Sequence, residues 1–123
     1  MDVLAWVLTI MLLFEVVPSA IAGVPAMGVA RARFEELTRI PVTRGERVWL
    51  LRTVGAAHCV GAVLLLVGLN NPPVGALGAA LELVAFGWIL AMQLRHGDRG
   101  RSLFAYSLFS GLALAVLVVN LLR

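Results

Sequence analysis

Lysine is absent from this chain, cysteine occurs once, and only 14% of the residues are charged. An ordinary soluble domain carries about 25%. Each scarcity excludes something. With Cys59 alone there is no intrachain disulfide and no CxxC pair, so the chain is not a self-sufficient thiol-relay quinone reductase. Cysteine-rich zinc and iron–sulfur sites fail on the same count. Ten arginines against seven acids leave a formal charge of +3. No basic face interleaved with aromatics accompanies that charge, so it suits anionic lipid headgroups and not nucleic acid. No polar stretch is long enough to make a soluble domain beside the apolar ones.

Four long apolar runs fill most of the 123 residues: about 3–22, 48–69, 74–94 and 103–122. Each approaches the ~20 residues a helix needs to cross a ~30 Å hydrocarbon layer. A helix on a soluble core would keep one polar face, and these do not. The expected fold is therefore all-α: one polytopic domain, an antiparallel bundle of four transmembrane helices in a lipid bilayer. Ala20-Ile21-Ala22 looks like a signal-peptidase site, but Met1-Asp2 places a negative charge where a signal peptide is positive. The first run is read as a retained helix.

Gly23 to Arg47 is the only long connection. Ala30, Phe34, Leu37 and Pro41 recur in it at helical spacing, and Arg31, Glu35 and Arg39 form an i,i+4 ladder on another face. This pattern predicts a short amphipathic helix over about 29–40, lying in the headgroup plane and stopped at Pro41. Asn70-Asn71-Pro72-Pro73 predicts a tight uncharged turn. The first and third connections hold Arg31, Arg33, Arg39, Arg44, Arg47, Arg95, Arg99 and Arg101, whereas the opposite side holds only Arg123. The positive-inside rule then puts both connections in the cytoplasm and both termini outside, in a cell inner (plasma) membrane. The absence of lysine together with abundant Ala, Val, Leu and Gly points compositionally to a bacterial source. Small residues four apart (Ala57 and Gly61, Gly75 and Ala79, Ser107, Gly111 and Ala115) predict close helix packing.

Four ionisable residues fall inside the spans: Glu15, Arg52, His58 and Glu82. Such groups are costly in hydrocarbon and face a bundle interior or cavity. At ~1.5 Å rise per residue, Arg52 lies ~7 Å and Glu15 ~10 Å from the cytoplasmic ends, while His58 and Glu82 lie at ~16 and ~18 Å. The depths suggest two pairs, Glu15 with Arg52 and His58 with Glu82. Tyr106, Ser107 and Ser110 bring hydroxyls to overlapping depths. A ligand with a polar head, such as a quinone, would dock between them and Arg52 or His58. Duller readings stay open. Arg52 is shallow enough to snorkel, Glu15 to neutralise it, and His58 to bond a carbonyl. His58 and His96 are too far apart in depth for a bis-histidine haem.

From Phe34-Glu35-Glu36-Leu37-Thr38-Arg39-Ile40-Pro41 onward, the chain resembles the DoxX-like family of small four-helix membrane proteins. The resemblance runs through Arg52-Thr53-Val54-Gly55-Ala56-Ala57-His58, Gly61, and Leu64 to Leu69 before Pro72-Pro73. It ends at Ala91-Met92-Gln93-Leu94-Arg95-His96-Gly97-Asp98 and covers about two thirds of the chain. The family usually carries Glu where His58 stands, and its helix-one ending is not reproduced by Pro18-Ser19-Ala20. The resemblance implies an accessory or quinone-facing subunit of a membrane redox complex, acting with other membrane or redox proteins or as a homo-oligomer, and not catalytic alone. Two other classes stay open from the residues: a small proton-coupled exporter, and a structural assembly factor.

Overall fold

The computed structural model describes residues 2–123, so Met1 of the first segment lies outside the described residues. Among the described residues every regular element is a helix: α1 Asp2–Gly23, α2 Gly28–Thr38, a 3-10 turn at Val42–Arg44, α3 Val48–Gly68, α4 Pro72–Arg95 and α5 Arg101–Leu122. Four of these, α1, α3, α4 and α5, are long and apolar enough to cross a membrane. In hydrocarbon a spanning backbone must satisfy its own hydrogen bonds, and helices do so within one segment. Pro72 and Pro73 sit in the first turn of α4, where a missing N–H costs nothing.

The four long helices form a ring in which α1 packs on α3, α3 on α4, α4 on α5 and α5 on α1. Leu12, Val16, Leu65, Ala79, Phe86, Ala113 and Val116 fill its centre. The outside is inverted relative to a soluble protein. Phe14, Ile21, Val63, Val84, Leu108 and Leu121 are among the large apolar side chains left exposed, as a lipid-facing surface requires. Small residues set the helix spacing at α1–α3, where a Cβ on Gly55 would stand 2.5 Å from the Gly23 carbonyl carbon. The predicted stripe on α5 has no such role, since Ser107 and Gly111 face outward.

At one end of the ring, Arg123 donates to the carbonyls of Gly68 (2.5 Å) and Leu69 (3.2 Å) and to Asn120 Oδ1 (3.0 Å). Those carbonyls end α3, so the guanidinium meets the negative pole of a helix. It also reaches Asp2 at 3.3 Å. Both chain ends and the 69–71 turn therefore share one side of the bundle. At the other end, Arg39 pairs with Asp98 and ties the α2 region to the α4–α5 connection.

The connecting helix differs from expectation in three ways. It ends at Thr38 and not at Ile40: Arg39 takes the left-handed conformation (φ 62°) and its N–H closes on Glu35 O at 2.8 Å. Pro41 restricts the residue before it, so the helical turn is lost upstream of the proline itself. The Arg31–Glu35–Arg39 ladder is not realised either. Arg31 donates to Ala26 O, Glu35 accepts from Thr43, and Arg39 serves Asp98. The apolar stripe is real but turns inward. Phe34 and Leu37 are buried, and Phe34 lies 6.0 Å from the Trp88 ring of α4. Helix α2 covers one end of the bundle.

Gly55→Ala should destabilise the protein by about 1–3 kcal/mol, because backbone and not a flexible side chain blocks the new methyl. Gly87→Ala, with open space at its Cβ, should gain about 0.5–1 kcal/mol from helix propensity. Denaturant unfolding in detergent micelles, followed by circular dichroism, checks both signs.

Candidate functional site

The inward face of α4 carries Gly75, Ala79, Glu82, Phe86, Ile89 and Gln93, all buried. That three-to-four spacing delivers Glu82 to the middle of the bundle with no exposed surface at all. His58, on the inward face of α3 with Leu51, Gly55, Gly61 and Leu65, meets it: His58 Nδ1 stands 2.5 Å from Glu82 Oε2. Two lone pairs do not approach to that distance, so a proton lies between them. Phe86, one turn on from Glu82, stacks against the imidazole at 4.9 Å between centroids. Opposite, Gly61 lies so close to the other carboxylate oxygen that a Cβ there would overlap it. Glu82 Oε1 has no hydrogen-bond partner among the described residues.

Beside this dyad is a cavity of about 200 Å³, walled by α1, α2, α3, α4 and α5. A cavity of about 150 Å³ holds one benzene ring, so this one takes a ring-sized head and little more. Glu15 and Ser19 of α1, Arg33 of α2, His58 and Tyr106 supply its polar atoms; Val54, Leu51, Leu37 and Ile89 are among its apolar walls. It is open on one side, where Pro18, Val29 and Arg33 are exposed. Pro18 cannot donate to the carbonyl four residues back, which loosens α1 at the rim. Ser19 Oγ donates to Glu15 Oε1 at 3.3 Å. Glu15 is also within electrostatic reach of Arg33 and His58. The Arg33 guanidinium sits 5.9 Å from the centroid of the Tyr106 ring, a cation–π contact. Tyr106 in turn packs on Phe86 and edge-on against Phe109.

Of the five residues picked from sequence, Glu15, His58 and Tyr106 line the cavity and Glu82 stands directly behind His58. Arg52 does not join them. It is exposed, outside the cavity, and makes no ion pair with Glu15 among the described residues. The reason is angular: six residues of helix separate Arg52 from His58 by ~120°, and once His58 faces inward, Arg52 faces out. Its place beside Glu15 is taken by Arg33, which was counted only as a charge on a connection. The signal for Arg33 was its spacing with Ala30, Phe34 and Leu37 on one helical face, read inward and not toward headgroups. Gln93 was missed as well. Its amide is fully buried with neither atom bonded, as is the hydroxyl of Ser110.

No family model, curated protein or solved structure matches the chain. What fold and site define is a class: a four-helix, multi-pass membrane protein with a ring-sized, largely apolar cavity under a short covering helix.

Replacing Glu82 by Ala leaves His58 Nδ1 unpaired behind the cavity and should cost about 3–5 kcal/mol. Replacing both residues, as in His58→Leu with Glu82→Leu, should recover most of that loss, because the pair's desolvation disappears with it. Unfolding midpoints of the two single variants and the double variant measure the coupling.

Proposed function

We propose that the chain is a DoxX-like inner-membrane protein of bacterial type that serves a membrane redox assembly as its quinone-facing accessory subunit. The observation that carries this reading is the cavity. It is sized for one ring, apolar on most of its wall, and polar where Glu15, Arg33, His58 and Tyr106 meet. A quinone has that shape of demand: a flat ring with oxygens to be hydrogen-bonded and an isoprenoid tail that stays in lipid. The open side beside Pro18 and Val29 gives the tail an exit. The redox assignment itself comes from the resemblance in residues 34–98. One cysteine gives the chain no dithiol relay of its own, so electrons pass to or from a partner protein. The dyad in the interior favours a second reading, a proton-coupled carrier in which Glu82 and His58 hold the transported proton.

The arginine asymmetry supports α2 and the α4–α5 connection in the cytoplasm and both chain ends outside. In a Cys59→Ala background, Arg99→Cys should react with an impermeant maleimide in inverted vesicles and be protected in intact cells. Asn70→Cys should do the reverse. Labelling of Arg99→Cys in intact cells overturns the orientation.

A short-tailed ubiquinone analogue should quench Trp88 fluorescence saturably in a Trp6→Phe, Trp49→Phe background. Arg33→Gln, which removes a charged donor from the cavity, should weaken that binding roughly tenfold or more. Quenching that rises linearly, with no plateau and no dependence on Arg33, excludes the quinone reading and leaves the carrier and the structural assembly factor.

A further inference from the structure

We propose that His58, held by Glu82, is the proton-exchanging group of the cavity: it accepts the proton of a phenolic or hydroquinone hydroxyl on the bound head, which then sits as an oxyanion beside Arg33 and Tyr106. The inference rests on reading the cavity as a site for a ring-shaped head.

Its basis is the order in which the groups stand. Glu82 has no exposed surface and does not line the cavity, while His58 touches both Glu82 and the cavity. The carboxylate therefore acts only through the imidazole and is a positioning residue. In the proposed state Nδ1–H donates to Glu82 Oε2 and the neutral ring carries its free lone pair on Nε2, which makes no hydrogen bond among the described residues. A histidine backed by a buried carboxylate is oriented in one tautomer, and its imidazolium form is stabilised when it takes a second proton. Gly61 seals the far side of the carboxylate, so no solvent competes for it.

The charged and titratable groups facing His58 are Glu82 from α4, Glu15 from α1, Arg33 from α2 and Tyr106 from α5. With both carboxylates ionised, Arg33 balances one of them and an imidazolium balances the other. In the proposed step the ligand O–H bond breaks, its electron pair stays on oxygen, and a new N–H bond forms at His58 Nε2. The proton moves within the cavity, so the net charge of protein plus ligand is unchanged. No electron leaves the ligand in this step. A hydroquinone bound in this way is primed as its anion for an oxidant carried by a partner.

An alkylated 2-nitrophenol, whose phenolate absorbs at longer wavelength than the phenol, tests this with the full chain in lipid nanodiscs. Its O-methyl ether serves as a competitor with no proton to give. On the protein, the phenol should ionise at a pH at least about one unit lower than in nanodiscs without protein, a tenfold change in the ionisation constant. Glu82→Gln should reverse most of that shift and His58→Gln all of it, with the ether binding to all three forms within about threefold. The sign is diagnostic. Removing the negative charge of Glu82 would ease formation of a nearby oxyanion by simple electrostatics, so a loss of ionisation in Glu82→Gln arises only if the carboxylate acts through His58. Should those variants fail to fold, Arg33→Gln, at an exposed position on the cover, takes their place: a shift that keeps at least half its size there belongs to the dyad, and one that vanishes assigns the effect to Arg33 and overturns the proposal. Binding of phenol and ether with no shift in ionisation overturns the dyad's role and leaves the cavity reading standing. Failure of both to bind overturns the cavity reading and this inference with it. A shift that grows in Glu82→Gln assigns the effect to Arg33 and overturns the proposal.

Discussion

A carboxyl group with no exposed surface, set among apolar helices, governs what can be packed around it. Glu82 survives there because His58 reaches it from α3 at 2.5 Å, and that single contact fixes the register of α3 against α4. The rest of the interior follows from it. Gly61 leaves room for the carboxylate, since a side chain there would overlap Glu82 Oε1 and force it to move. Phe86 lies against the imidazole, and Tyr106 and Phe109 pack around Phe86. Taking the carboxylate out of water in this way costs desolvation that the pair only partly returns.

The short helix α2 converts the dyad into a site. Without it, the end of the bundle near Glu15, His58 and Tyr106 would lie open. Phe34 and Leu37 anchor it on the core and Arg33 completes the polar wall. Its two ends are held by local geometry: Arg31 donates back to Ala26 O, and Arg39 leaves the helix in a left-handed turn and pairs with Asp98. The Arg39–Asp98 pair is largely exposed on the arginine side, where such pairs hold weakly. The cover is thus anchored mainly by its buried apolar face.

Arginine, the only strong cation in the chain, does three separate jobs according to burial. Arg123 is almost covered and caps the end of α3; Arg33 is exposed at its own surface yet lies over an aromatic ring; Arg52 faces outward from α3. The guanidinium suits all three because its flat fork both donates to carbonyls and stacks on rings.

The four spans, their limits to within two residues, the turn at Asn70-Asn71 and the existence of a helix after Gly23 were all legible in the chain itself. Apolar length and proline position are local properties, and lipid leaves a backbone almost no alternative to a helix. The His58–Glu82 pair was legible too, because depth along a helix is arithmetic and a mid-span carboxylate must find a partner. What the sequence could not determine was azimuth. Depth places Arg52 level with Glu15, but only the packing of α3 between α1 and α4 decides which way each residue turns. That rotation sent Arg52 to the outside. Separately, burial of Phe34 and Leu37 folds α2 onto the bundle, and Arg33 lines the cavity where Arg52 does not. Hydrophobic periodicity specifies that a helix has an apolar side; whether that side meets lipid or protein is a property of its neighbours, and only the tertiary structure contains them.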